Sequence, residues 1–272
     1  MQFARIGEVT LHFQMIGDPT VKPLIVFSNA LGMDFRIWRD VIVRLAGDFA
    51  ILTYDKRGHG LSDVGTTPYT IETHANDLAG LLDFIGAPAG LICGVSVGGT
   101  VAQALYAIRP DLVRGLILCD TAHKVGTPEV WNGRIAAVEQ HGIAGIADAS
   151  LERWFTPAFR TPENAEFTGY RNMLERQPAA GYMATLAALR DADLTDLAPN
   201  ITVPTLCIVG EEDVSTTPAL VAEFAKMIPG ARFEVIKNSA HLPCIEQPAV
   251  LAQMIQAFAA FAGAAAGASP LN

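Results

Sequence analysis

The stretch Leu91-Ile92-Cys93-Gly94-Val95-Ser96-Val97-Gly98-Gly99 constrains this chain more than any other. An apolar run enters G-x-S-x-G and leaves into Thr100–Ile108, an Ala-rich segment with helical character closed by Pro110. A serine squeezed between a strand and a helix must adopt a strained backbone. Gly94 and Gly98 carry no Cβ, so neighbouring backbone can pass close to them. Such a turn lifts the hydroxyl to the top of a sheet. It also aims a helix N-terminus at the hydroxyl, where free N–H groups and the helix dipole favour negative charge. A Gly-rich turn with an incidental serine would explain the glycines, but not the strand before them or the helix after.

The rest of the chain repeats the same alternation. Continuous apolar runs occur at Leu24–Phe27, Ile51–Tyr54, Leu91–Cys93, Leu116–Cys119, Thr205–Val209 and Phe233–Ile236. Strands covered on both faces read this way. Between two of them, Ile71, Ala75, Leu78, Leu82 and Ile85 recur at steps of four and three, the period of an amphipathic helix. Thr217-Pro218 and Gln247-Pro248 supply helix starts, with Pro in the first turn. The economical architecture is α/β: a mostly parallel central sheet flanked by helices. The alternation lapses between about Thr121 and Asn200, a stretch rich in Ala, Glu and Arg that holds Trp131 and Trp154. An inserted helical cap over residues 123–196 is therefore expected. The core is expected to comprise residues 1–122 and 197–262, with a Gly/Ala/Ser tail at 263–272 expected to be flexible.

Composition narrows the functional classes. Half of the 272 residues are apolar and the net charge is -9, with no clustering of Lys and Arg. Binding to nucleic acid or to a membrane surface is not expected from that balance. An anionic substrate would be repelled at long range, so its pocket would need a local positive group. Cys93, Cys119, Cys207 and Cys244 show no metal-ligand or CxxC spacing, and three of them lie in strand-like runs. They are expected to be reduced, buried thiols, which suits a cytoplasmic protein. Neither a signal peptide nor an apolar run long enough to span a bilayer is apparent.

Serine attack needs a base to take the proton. When the nucleophile sits at such an elbow, the chain order is Ser, then Asp or Glu, then His. The histidines after Ser96 are His123, His141 and His241. Only His241, in Asn238-Ser239-Ala240-His241, lies in a loop between the last strand run and the last helix. His141 falls within the cap, and His123 follows its strand too closely. The acid should follow a strand between the two: Asp213, just after Thr205–Val209, or its rival Asp120, after Leu116–Cys119. Its work would be to orient the imidazole and stabilise the imidazolium. The oxyanion requires two backbone N–H groups. Val97 follows the nucleophile and supplies one; Ala30, or Leu31 one residue on, supplies the other from the loop after Leu24–Phe27. Asp55-Lys56-Arg57-Gly58-His59-Gly60-Leu61-Ser62 reads as a structural Gly-rich turn. No His/Asp/Glu cluster has ligand spacing, and neither a Walker nor a dinucleotide pattern occurs, so neither metal nor cofactor is expected.

Together these pieces resemble the α/β-hydrolase family from about Phe3 to Phe261. Within that family the chain is most similar to the 3-oxoadipate enol-lactonases. The shared features are Ser28-Asn29-Ala30-Leu31-Gly32 where most relatives carry His-Gly, the elbow itself, and Arg153-Trp154-Phe155-Thr156-Pro157-Ala158-Phe159 in the cap. The resemblance implies a small anionic lactone as substrate and a ring opened by Ser96. An acyl-enzyme and direct attack by water both fit the residues. In the cap, Arg134 and Arg153 are the candidates to pair with a substrate carboxylate, with Trp131 and Trp154 as apolar walls. Rival readings are a carboxylesterase or carbon–carbon bond hydrolase of the same fold, and a non-catalytic ligand receptor. An Asp nucleophile, as in dehalogenases of this fold, is excluded by Ser96.

Overall fold

The computed structural model describes residues 1–265. Eight strands form one sheet in the order β1-β2-β4-β3-β5-β6-β7-β8. They are β1 (Gln2–Ile6), β2 (Val9–Ile16), β3 (Leu24–Ser28), β4 (Ala50–Tyr54), β5 (Gly90–Val95), β6 (Val113–Cys119), β7 (Thr205–Gly210) and β8 (Arg232–Ile236). From β4 through β8 every neighbouring pair is parallel. Each residue of β3, β4, β5 and β7 is buried, which is why these strands read as unbroken apolar runs.

The hairpin β1–β2 has no such run and is invisible to that criterion. In β2, Val9, Leu11 and Phe13 are buried, while polar residues alternate with them. The strands pair antiparallel, and β2 then pairs antiparallel with β4. A half-solvated edge hairpin shows the two-residue period in place of a continuous apolar stretch.

Helices flank the sheet: α1 (Arg39–Leu45), α2 (Ile71–Phe84) and α3 (Val97–Ile108) in the first half of the chain. Helix α2 opens with a capping box in which Thr70 and Thr73 exchange hydrogen bonds. Between β6 and β7 the chain leaves the sheet for α4 (Pro128–Trp154), α5 (Ala165–Glu175) and α6 (Ala179–Asp191). Helix α4 breaks at Gly142, whose φ of 68° no ordinary helical residue adopts. The chain then returns through α7 (Pro218–Met227), α8 (Pro243–Glu246) and α9 (Pro248–Ala265). Thr217 caps α7 as expected, accepting from the Leu220 N–H at 3.3 Å. The tail expected at 263–272 lies mostly outside the described residues, and α9 continues past its expected end as far as Ala265. All four cysteines are free and buried. No helix among the described residues is long and apolar enough to cross a membrane.

The inserted helices are seated on the core by glycine. Gly181, near the start of α6, lies against Gly58 so closely that a Cβ on either would overlap the other's backbone. Gly181→Ala is expected to force that contact apart and to cost about 1–3 kcal/mol, the usual penalty of overpacking. Thermal denaturation of the variant checks this. An unchanged melting temperature would mean that the seat is soft.

Candidate active site

Ser96 stands between β5 and α3 with φ 57° and ψ -123°, a conformation that a residue with a Cβ adopts only under constraint. Its N–H donates to the Cys119 carbonyl at 2.9 Å, tying the turn to β6. Both motif glycines are required by contact. A Cβ at Gly94 would overlap the Gly98 carbonyl, and one at Gly98 would overlap the backbone of Ser28 and Asn29. The first turn of α3 therefore rests directly on the loop after β3. Val97 is the first residue of that helix, so its N–H belongs to the turn that has no intrahelical acceptor.

His241 and Asp213 meet in the loops after β8 and β7. His241 Nδ1 lies 2.7 Å from Asp213 Oδ2, with both side chains buried. Burial works to raise the Asp213 carboxyl. Attraction to His241 and hydrogen bonds from His241, Thr216 and the Ser215 N–H outweigh it, so the group lies below the usual carboxylate range. The Thr216 hydroxyl donates to Asp213 Oδ2 at 2.6 Å and the Ser215 N–H to Oδ1 at 2.7 Å. An ionised acceptor so held places the imidazole proton on Nδ1 and leaves Nε2 bare.

Asp120 is close by but differently placed. Its Oδ1 accepts from the Gly210 N–H at 2.8 Å, and its Oδ2 has no protein partner. Burial first, and then the charge of Asp213, push its carboxyl well above the usual range. The residue that touches the imidazole is Asp213. The fold also brings one donor atom each of Asp120, Asp213 and His241 within 4.8 Å of one another, a cluster that spacing along the chain does not reveal. Two ligands on a tetrahedral zinc stand roughly 3.4 Å apart at ordinary bond lengths. The 2.7 Å contact between Asp213 and His241 is a hydrogen-bond distance and leaves no room for an ion between them.

Ser96 and His241 line one cavity of about 170 Å³, together with Ala30, Leu31, Trp131, Arg134, Arg153 and Trp154. Every residue singled out for the site thus borders this space, except buried Asp213 and Val97, which back His241 and Ser96 from behind. The volume lies below the roughly 300–1,000 Å³ of common ligand pockets, so it suits only a small molecule. Trp131 donates its indole N–H to the Val125 carbonyl at 2.7 Å, and the Arg134 guanidinium lies 4.7 Å from its ring centroid. Neither Arg134 nor Arg153 makes a salt bridge among the described residues. Arg153 Nε is buried without a partner. Burial, and then the charge of Arg153, draw Arg134 below the ordinary guanidinium range; burial does the same to Arg153.

Two supporting residues escaped the sequence reading. Glu246 Oε1 accepts from the Thr156 N–H and hydroxyl, and its Oε2 accepts from the Ala240 N–H. The His241 N–H in turn donates to the Trp154 carbonyl at 3.1 Å. The end of α4 and the histidine loop are therefore joined by four hydrogen bonds, counting those of Glu246. Thr216 is the other. A threonine three residues after an acid carries no sequence signal, and Glu246 reads as one more helix-end carboxylate.

The tautomer can be measured. Nitrogen-15 NMR of His241 in its neutral form is expected to show a protonated Nδ1 and a bare Nε2. Asp213→Asn, whose amide can turn an N–H toward Nδ1, is expected to reverse the pattern, whereas Asp120→Asn leaves it intact. Reversal by Asp120→Asn instead would contradict the geometry above.

Comparison with known proteins agrees with this architecture. The sequence pattern of the alpha/beta hydrolase family matches residues 25–254. The chain is 32% identical to 3-oxoadipate enol-lactonase 2 of Acinetobacter baylyi, over 92% of this chain and 93% of that protein. Among solved structures it is similar to an enol-lactonase from Burkholderia xenovorans, with a TM-score of 0.91 and 35% identity, covering 95% of this chain and 99% of that one. A malate-bound thermophilic esterase from Thermogutta terrifontis has a TM-score of 0.90 at 29% identity, covering 96% of this chain and 99% of that one. A parallel sheet that carries a strained serine at its elbow, matched along nearly its whole length, makes this chain a member of the alpha/beta hydrolase family and a hydrolase.

Proposed function

We propose that the protein opens a small carboxylated enol-lactone, converting 3-oxoadipate enol-lactone to 3-oxoadipate in the cytoplasmic breakdown of aromatic compounds. The observation that carries this reading is the pair of arginines without carboxylate partners in the cavity shared by Ser96 and His241. In a chain of net charge -9, an unmatched cationic pair inside a small, largely apolar cavity selects a small anion. The similarity to enol-lactonases of two organisms supports the same choice.

In this reading each residue has a task. Ser96 Oγ gives its proton to His241 Nε2 as it attacks the ring carbonyl carbon. Asp213 holds the resulting imidazolium. Negative charge gathers on the carbonyl oxygen, which the N–H groups of Val97 and of Ala30 or Leu31 would stabilise. As the tetrahedral intermediate collapses, the ring C–O bond breaks and the electron pair leaves on the enolate oxygen. That oxygen takes the proton from His241, and the enol ketonises. Water then gives a proton to His241 as its oxygen adds to the acyl carbon; the bond from that carbon to Ser96 Oγ breaks, Oγ takes the proton back from His241, and the product acid leaves and ionises. An enolate is a good leaving group, so the demand on the acid is modest.

A carboxylesterase is the second reading, favoured by the similarity to the thermophilic esterase. Loss of the ultraviolet absorbance of 3-oxoadipate enol-lactone on adding the protein is expected, with p-nitrophenyl esters turned over far more slowly. Ser96→Ala should remove lactone turnover, leaving at most the residual ~10³–10⁴ over water that other serine hydrolases keep. Fast esters and an untouched lactone would transfer the assignment to the esterase.

Charge recognition has its own test. Arg134→Ala and Arg153→Ala are each expected to raise KM for the carboxylated lactone at least tenfold, and to change it little for a neutral lactone of the same ring size. If both variants keep the preference for the anion, the carboxylate is recognised elsewhere.

A further inference from the structure

Lys56 is buried, with 1% of its surface exposed, in the run Asp55–Ser62 that the sequence marks only as a turn. It makes no salt bridge within the described residues. Its Nζ donates instead to two consecutive carbonyls, Asn29 O at 2.8 Å and Ala30 O at 3.2 Å. The charges of Asp55 and Asp34 offset only part of the cost of burying this ammonium group, so its placement calls for a reason.

The trans peptide supplies one. The carbonyl of residue i and the N–H of residue i+1 share one plane and point in opposite directions. The Asn29 carbonyl is coupled in this way to the Ala30 N–H, and the Ala30 carbonyl to the Leu31 N–H. Drawing both oxygens toward Lys56 turns both N–H groups away from it. Ala30 and Leu31 are buried and border the cavity of Ser96. Neither N–H donates to an acceptor among the described residues, so two buried donors stand unused beside the serine. The neighbouring anchors belong to the same run: His59 Nε2 accepts from the Gly32 N–H at 3.0 Å, and Asp55 Oδ1 accepts from the Phe35 N–H at 3.0 Å.

We infer that Lys56 is a positioning residue for the reaction: by holding the carbonyls of Asn29 and Ala30 it aims the N–H groups of Ala30 and Leu31 at the oxygen of the carbon that Ser96 attacks. The inference rests on the reading of Ser96 as nucleophile. A cation on the carbonyl end also polarises each peptide, which makes its N–H a stronger donor to a developing oxyanion. Burial lowers the Lys56 ammonium to about 7, with Asp55 and Asp34 acting against the shift. The same dry surroundings leave its field little screened.

The test compares Lys56→Met, Lys56→Gln and Ser96→Ala on one substrate, with an alkylboronic acid as an oxyanion probe. Boron bound to Ser96 places a tetrahedral oxygen where the reaction places its oxyanion. Lys56→Met is expected to lower kcat about 10- to 100-fold with KM within about threefold. Its affinity for the boronic acid should fall by a similar factor, while affinity for the carboxylate product stays constant. Lys56→Gln, whose amide N–H can reach one of the carbonyls, should recover part of both losses, and it carries the test if the Met variant does not fold. Wild-type kcat in a folded Lys56→Met protein overturns the inference. So does a loss confined to KM, or a fall in kcat with boronic acid affinity unchanged. Turnover surviving in Ser96→Ala would instead overturn the reading of Ser96 itself, whatever the lysine variants do.

Discussion

The close approach of α3 to the loop after β3 is the contact on which the rest of the site depends. Ser96 holds a backbone conformation that costs on the order of 1–3 kcal/mol. It persists because its neighbours leave no alternative: β5 is paired on both sides, the Ser96 N–H is bonded to Cys119, and Gly98 lies flat on Ser28 and Asn29. One contact thereby sets the relative position of three things: the serine, the start of a helix, and the loop carrying Ala30 and Leu31. A single methyl group at position 98 would separate them.

Behind that contact lies a layer of buried polar groups, several of them closely partnered. Asp213 is held by His241, Thr216 and Ser215, and His59 and Asp55 fix the far end of the Ala30 loop. Such networks cost most when one member is left unpaired. The exceptions are therefore informative. Arg153 Nε and the N–H groups of Ala30 and Leu31 are unpaired, and these three residues border the same cavity.

The cap shares hydrogen bonds with the histidine loop through Glu246, and the Trp154 carbonyl receives the His241 N–H. Helix α4 therefore does more than roof the cavity. Its last turn contributes Arg153 and Trp154 to the cavity wall, and the backbone beside them holds the imidazole in place. A displacement of that turn would move Arg153 and His241 together.

Local chemistry made much of this legible in the sequence. The elbow was readable because strand, G-x-S-x-G and helix are contiguous. The central strands were readable because burial on both faces leaves an unbroken apolar run. His241 and Asp213 followed from chain order, since each loop at the carboxyl end of a parallel strand opens on the same edge of the sheet. Longer-range features were not legible. The β1–β2 hairpin has only a two-residue alternation, which short stretches produce by chance. The choice between Asp213 and Asp120 turned on which carboxylate reaches Nδ1, and strand geometry decides that, not residue type. Lys56 looks like any charged residue in a turn. Its burial, and its aim at the Asn29 and Ala30 carbonyls, exist only once β4 lies beside β3. The sequence by itself determined which groups were available for chemistry, because their identity and order are local properties of the chain. Tertiary structure alone decided which of them are dry, paired or left open toward the cavity, because those properties depend on residues far apart in the chain.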